Sequence, residues 1–239
     1  MRILITNDDG INSPALPMLA KWAERLGEVI TIAPKVEQSG KSHAIIFTRS
    51  IEVKRVDIGE GLLAYSMDST PADCVRFAVL GRKEKYDLVI SGINRGFNLG
   101  KDIVYSGTAG AIFEAGRLGI PAIALSTHPD NFDSAVENLD RVWQYITNHK
   151  LFTENSLYNI NIPDSPKGIR ITRQGGIYFS DEFVHLEGDM YEQTGGIVTE
   201  NEGNPEFDTD SVRDGYISIT PLMAERTNFY VFDKLKGLN

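Results

Sequence analysis

Asp8 and Asp9 stand side by side in Arg2-Ile3-Leu4-Ile5-Thr6-Asn7-Asp8-Asp9-Gly10, directly after a short and mostly apolar run. Such a run reads as a strand buried in a parallel sheet. Carboxylates at its C-terminal end lie where open α/β sheets place their ligands. Two adjacent carboxylates also offer the hard oxygen donors that Mg²⁺ and Mn²⁺ prefer. The same residues make an ordinary Asn-Asp-Gly turn before a helix, and the segment alone leaves the two readings about equal.

Three further segments carry chemistry-bearing residues at predicted strand ends. Ser91-Gly92-Ile93-Asn94-Arg95-Gly96-Phe97-Asn98-Leu99-Gly100 has three glycines that let backbone approach a ligand, with Asn94 and Asn98 as neutral contacts. Read alone, it is more often a plain polar loop. Tyr105-Ser106-Gly107-Thr108-Ala109-Gly110-Ala111 opens a helix with small residues, and a helix N-terminus is a ready anion site. Ser106 and Thr108 serve equally well as simple caps. Ser39, in Ala33-Pro34-Lys35-Val36-Glu37-Gln38-Ser39-Gly40-Lys41, is a metal or phosphate contact or, more commonly, a turn serine.

The elements that must position these residues alternate between strand and helix over the first two-thirds of the chain. Ser13-Pro14 reads as an N-cap followed by proline, with Leu16, Leu19, Ala20, Ala23 and Leu26 on one face of a helix closed by Gly27. Glu28–Ala33 is a second strand. The short runs 44–48, 51–56 and 62–67 suggest a small hairpin arm beside the main sheet. A helix from Pro71 to about Leu80, a strand over 86–91, a helix over 107–118 and a strand over 120–126 follow. Residues 132–148 form an amphipathic helix with Val136, Leu139, Trp143 and Ile146 inside. This order predicts a doubly wound, mostly parallel, Rossmann-like α/β sheet over residues 1–150.

Residues 151–239 read as a β-rich C-terminal extension, with strands over 157–162, 169–172, 176–179, 183–186 and 216–220. Between them, 195–205 suggests a loose loop, and the tail from Met223 is weakly helical. Phe229, Tyr230, Val231 and Phe232 in that tail have no obvious partner in their own chain, which points to at least a homodimer.

Composition bounds the function. The 239-residue chain has 41% hydrophobic residues, enough for a sizeable core. Its formal net charge of −9 lacks the electrostatic footprint expected for gripping a long nucleic acid. No apolar run approaches the roughly 20 residues of a membrane span. Met1 leads straight into the first strand, so no signal peptide is expected. The single Cys74 excludes an internal disulfide and fits a reducing cytoplasm. His43, His128, His149 and His185 show no metal-ligand spacing, and neither a dinucleotide fingerprint nor a Walker lysine is present.

Taken together, the segments resemble the SurE family of stationary-phase 5′/3′-nucleotidases. The resemblance rests on Ile5-Thr6-Asn7-Asp8-Asp9-Gly10, Ala33-Pro34 with Ser39-Gly40, Thr70-Pro71-Ala72-Asp73-Cys74-Val75, Ser91-Gly92-Ile93-Asn94-Arg95-Gly96 with Asn98-Leu99-Gly100, and Tyr105-Ser106-Gly107-Thr108. Asn159-Ile160-Asn161-Ile162-Pro163, Thr172-Arg173-Gln174 and Gly215 to Leu222 extend it, so it covers essentially residues 1–222. Ser69, Asn12-Ser13-Pro14 and the stretch between Tyr191 and Asp210, which lacks tryptophan, depart from the family's usual pattern.

The resemblance implies a divalent-metal phosphomonoesterase acting on nucleoside 5′- and 3′-monophosphates, with short polyphosphate as a further candidate substrate. It implies one Mg²⁺ or Mn²⁺ per subunit, held by Asp8, Asp9, Ser39 and Asn94. Phosphate contacts fall to Asn94, Ser106, Gly107 and Thr108, and Asp8 or Asp9 orients the attacking water. It further implies homodimers or homotetramers with exchanged C-terminal elements. Two rivals exist: an aspartyl-phosphate phosphatase of the haloacid dehalogenase type, which needs Asp-x-Asp rather than adjacent aspartates, and a non-catalytic nucleotide-binding regulator.

Overall fold

The structure is a computed structural model describing residues 1–59 and 61–238, so Asn239 of the expected assembly tail lies outside the described residues. Its apolar runs become strands and its periodic segments helices in the following order. β1 (Arg2–Thr6), α1 (Ala15–Ala23), β2 (Glu28–Pro34), β3 (Val53–Asp57), β4 (Leu63–Met67) and α2 (Pro71–Arg76) come first. β5 (Leu88–Arg95), α3 (Gly107–Arg117), β6 (Ala122–Thr127), α4 (Phe132–Asn148), α5 (Leu151–Glu154) and β7 (Leu157–Ile162) follow. β8 (Ile169–Ile171), β9 (Phe179–His185), β10 (Tyr191–Ile197), α6 (Asp208–Arg213), β11 (Ile217–Leu222) and α7 (Phe229–Leu235) complete the chain.

Nine strands form one sheet in the order β3-β4-β2-β1-β5-β6-β7-β11-β8. The six from β4 to β7 run parallel, β3 pairs antiparallel with β4 and β11 antiparallel with β7, and β8 adds to β11 in parallel. From β1 the chain winds outward through β2 to β4, then returns to β5 and winds the other way. Crossovers of one hand therefore place α1 and α2 on opposite faces. One core packs α1 and α4 against Ile3, Ile5, Ile90 and Ile123. The other packs α2 and α3 against Leu4, Val89, Ala122 and Ala124. The reversal lies between β1 and β5, and in sheets of this kind that is where the ligand crevice opens.

Tertiary contacts changed several of the sequence expectations. Residues 62–67 belong to the main sheet, because β4 pairs parallel with β2, and only β3 hangs from it as a hairpin partner. Residues 44–48 are not a strand. They are tied down by side chains instead: Thr70 Oγ1 donates to the Ala44 carbonyl and the Ile46 N–H donates to Asp73. Ser13 does not cap α1 through its hydroxyl, which is buried without a hydrogen-bond partner. Residues 195–197, expected to be loop, are the end of β10, which pairs with β9 in a separate two-stranded arm. Its cross-strand partner supplies the order that a polar, glycine-containing sequence does not show.

One buried charge ties the segment after Ser39 to the helices. Glu114 on α3 is 2% exposed and receives His43, Arg76 and Arg117. Burial works to raise its pKa, but the hydrogen bonds from His43 and Arg117 and the adjacent guanidinium charges prevail, bringing it to about 2. The depressed value makes Glu114 stabilising above the unfolded carboxyl range, and this contribution is lost as pH falls from about 4.5 toward 2. Glu114→Gln should cost about 2–3 kcal/mol at neutral pH and under about 1 kcal/mol near pH 2.5. Urea unfolding at both pH values checks this, and a loss that does not depend on pH would contradict it.

Candidate active site

The sheet edge at the reversal collects the chemistry-bearing segments. Asp8 and Asp9 follow β1, and Asn7 closes their turn by exchanging hydrogen bonds with Gly10. Asp8 is 4% exposed and its carboxylate faces the start of α3. Thr108 donates its N–H to Oδ2 at 3.1 Å and its hydroxyl to Oδ1 at 2.7 Å. Gly107 is required there, since a Cβ at this position would lie 2.9 Å from both the Cβ and Oδ2 of Asp8. The Asp8 carbonyl accepts the Gln38 N–H at 2.7 Å, drawing in the loop after β2. Asp9 accepts the Arg95 N–H at 3.1 Å, bridging the reversal from β1 to the end of β5.

Asn94 reaches this edge through an irregularity in β5. Ser91 pairs with Ala124 of β6, and an unbroken register would place Ile93 opposite Ser126. The register shifts between Ser91 and Asn94, so Asn94 takes that place and Ile93 turns to the opposite face. Asn94 lies inside β5 rather than in the loop after it. Its Nδ2 donates to the Gly96 carbonyl at 2.7 Å, which leaves the amide oxygen as the end for a ligand.

The structure brings Asp8, Gly107 and Thr108 into direct contact and joins Asp9 to the Asn94–Arg95 segment. It does not bring the Ser39 hydroxyl onto the aspartates: that side chain is exposed and donates to Glu37 Oε1 at 2.7 Å. Ser106 caps α3, accepting the Ala109 N–H at 3.0 Å, and its own hydroxyl hydrogen remains a donor. Of the first-turn amides, that of Thr108 is spent on Asp8, that of Ala109 on the Ser106 hydroxyl and that of Gly110 on the Ser106 carbonyl. The Gly107 amide is left as the donor for an anion.

Sequence reasoning passed over Glu37, whose charge acts on both aspartates. It also missed two carboxylates that brace the loop before α3. Buried Asp208 accepts the N–H groups of Gly100, Gly175 and Thr209. Asp102 accepts those of Tyr178 and Phe179. Nothing in the local spacing marks these residues, because each acts on backbone distant in sequence. Cys74 is fully buried and burial pushes its thiol up, as befits a core residue.

The electrostatics favour a cation. Burial raises the pKa of Asp8, with the Thr108 hydroxyl working against it. Burial and then the Asp8 charge raise that of Asp9 to about 6. Two crowded carboxylates with neutral oxygens nearby suit a hard divalent ion. Among the described residues, no group of three or more His, Cys, Asp or Glu side chains forms a metal cluster. Any ion held here would depend on two aspartates plus amide, hydroxyl or water oxygens.

A doubly wound α/β fold with acidic groups facing a helix N-terminus across the sheet reversal sets its ligand-binding edge beside an anion-favouring helix end. Comparison with known proteins sharpens this. The family described as Survival protein SurE matches residues 3–181. A protein of Legionella pneumophila named 5′-nucleotidase SurE is 36% identical over 248 residues, covering 100% of this chain and 97% of the relative. Its namesake from a Thermoanaerobacter species is 37% identical, covering 99% and 98%. The crystal structure of the SurE protein from Aquifex aeolicus superposes with a TM-score of 0.83 at 32% identity, covering 100% of this chain and 99% of that one. The chain belongs to the SurE family.

The raised pKa of Asp9 has a sign that can be measured. A raised folded value favours the native state below the unfolded pKa and loses that contribution as pH rises through about 6. Without metal, Asp9→Asn should therefore raise the melting temperature at pH 8 and leave it nearly unchanged at pH 4. Any Mn²⁺ held by Asp9 should lose affinity about tenfold per unit below pH 6, since the ion then displaces a proton. Calorimetry across pH 4–8 reads both, and a flat affinity profile would count against the assignment.

Proposed function

We propose that the protein is a divalent-metal-dependent nucleotidase releasing phosphate from nucleoside 5′- and 3′-monophosphates. The observation that carries this reading is the clasp between Asp8 and the N-terminus of α3, which sets metal-type ligands against an anion-binding helix end. The names of the relatives from Legionella pneumophila and Thermoanaerobacter support the nucleotidase assignment.

In this reading Asp8, Asp9 and the Asn94 amide oxygen hold the cation, and Ser39 joins them once its hydroxyl turns from Glu37. A cation bound there supplies Lewis-acid polarisation of the phosphoryl group and an acidified water. The Gly107 amide and the Ser106 hydroxyl hold phosphate oxygens. Thr108, which the resemblance assigns to phosphate, holds Asp8 in this reading instead, because its N–H and its hydroxyl hydrogen both go to that carboxylate. Asp9, the more exposed of the two aspartates, orients the attacking water from the edge of the site.

The same reading includes assembly and compartment. Phe183, Leu186, Met190 and Tyr191 on the β9–β10 arm are exposed, as are Phe229, Tyr230 and Phe232 on α7. Such apolar surface is better covered by another subunit than by water, so a homodimer or homotetramer is expected. The lone buried cysteine suits the cytoplasm.

Asp8→Asn and Asp9→Asn should each stay folded yet lose about a hundredfold or more in phosphate release and bind Mn²⁺ weakly. A panel of nucleoside 5′- and 3′-monophosphates and short polyphosphate, assayed with Mg²⁺, Mn²⁺ and EDTA, checks this. Near-normal metal-dependent release by both variants would defeat the reading. Light scattering at micromolar concentration should give at least twice the chain mass, and deleting residues 223–239 should lower it. A monomeric mass for the intact chain would refute the assembly.

A further inference from the structure

Three asparagines outside the aspartate pair form a chain of hydrogen bonds that ends on Asp8. The backbone of Asn98 is gripped on both sides by side chains of β7: its N–H donates to Asn161 Oδ1 at 2.9 Å, and its carbonyl accepts from Asn159 Nδ2 at 2.8 Å and Asn161 Nδ2 at 3.0 Å. Asn159 and Asn161 are fully buried. The side-chain amide of Asn98 then forks, donating to Ser126 Oγ at 2.9 Å and to Thr108 Oγ1 at 3.4 Å. Thr108 in turn donates to Asp8 Oδ1 at 2.7 Å.

The direction of this chain is set by its first donor. An amide NH₂ only donates, so Thr108 must accept it and has a single hydrogen left, which goes to Asp8. The register supports the same grouping. Asn94 pairs with Ser126 across β5 and β6, and Ser126 pairs with Asn161 across β6 and β7, so the three lie in one lateral row. We infer that Asn159 and Asn161 are positioning residues: by clamping the Asn98 peptide they aim its side chain at Thr108, which holds Asp8 in the orientation the reaction needs. This deepens the proposed function and rests on it.

A stabilising role alone would require only that the Asn98 peptide be satisfied. The relay requires more, because the β7 side chains should matter through the Asn98 side chain. That difference is measurable as non-additivity in a double-mutant cycle. Asn98→Ala and Asn161→Leu should each slow phosphate release from 5′-adenosine monophosphate at saturating Mn²⁺ by about tenfold and weaken Mn²⁺ affinity. The double variant should be no worse than the poorer single one, within about twofold. Melting temperature, read in parallel, should fall by the same amount for Asn161→Leu whether or not Asn98 is changed.

Asn159→Ala removes only one donor to the Asn98 carbonyl and carries the same cycle if Asn161→Leu does not fold. Losses that multiply, to about a hundredfold in the double variant, would overturn the relay while leaving the nucleotidase reading intact. A wild-type chain that neither binds Mn²⁺ nor releases phosphate would overturn the reading itself, and the relay with it.

Discussion

Everything at the sheet edge depends on a charged carboxylate kept almost out of water. Burying Asp8 at the end of the central strand is costly unless its oxygens find donors, and Thr108 supplies one for each. That need explains why α3 begins where it does, and why Gly107 precedes Thr108: any side chain there would collide with the carboxylate. The Asp8–Asp9 repulsion that remains after these bonds is the physical basis for a cation site. Its strength depends on how rigidly the surrounding backbone holds the two groups together.

Much of the molecule supplies that rigidity through buried polar groups bonded to distant backbone. Asp208 gathers Gly100 and Gly175, Asp102 gathers the base of the β9–β10 arm, and Asp73 takes the Ile46 amide. Glu114 draws His43, Arg76 and Arg117 together over α3. Each fixes an irregular segment, and all but the half-buried Asp102 do so at the cost of burying a charge, which several donors then offset. The acidic net charge of the chain is thus partly an account of its loops, many of which are fastened by carboxylates accepting backbone N–H bonds.

The strands and helices of the first two-thirds were legible because burial on both faces writes continuous apolar runs and the long helix α4 writes a clean 3.6-residue period. The expected bounds of α4, 132–148, match those of the structure. Legibility failed where order comes from partners rather than from local pattern. Residues 191–197 are polar and glycine-containing, yet become β10 because β9 lies alongside. The short α6, with Asp208 at its start, has no apolar stripe to announce it, since its role is to present a carboxylate to two loops.

By itself the sequence determined the alternation of elements, the aspartate pair at the end of the first strand and the small-residue start of α3, because each is a local pattern of residue types. Only the tertiary structure decided that β1 and β5 flank the reversal, so that Asp9 meets the Arg95 amide. It alone set the slip in β5 that turns Asn94 toward Ser126, and the bond that joins Thr108 to an aspartate one hundred residues away. The reason is physical. Residue type sets which groups can donate, accept or be buried, but which donor meets which acceptor depends on strand order and register, and those are settled only when the whole sheet packs.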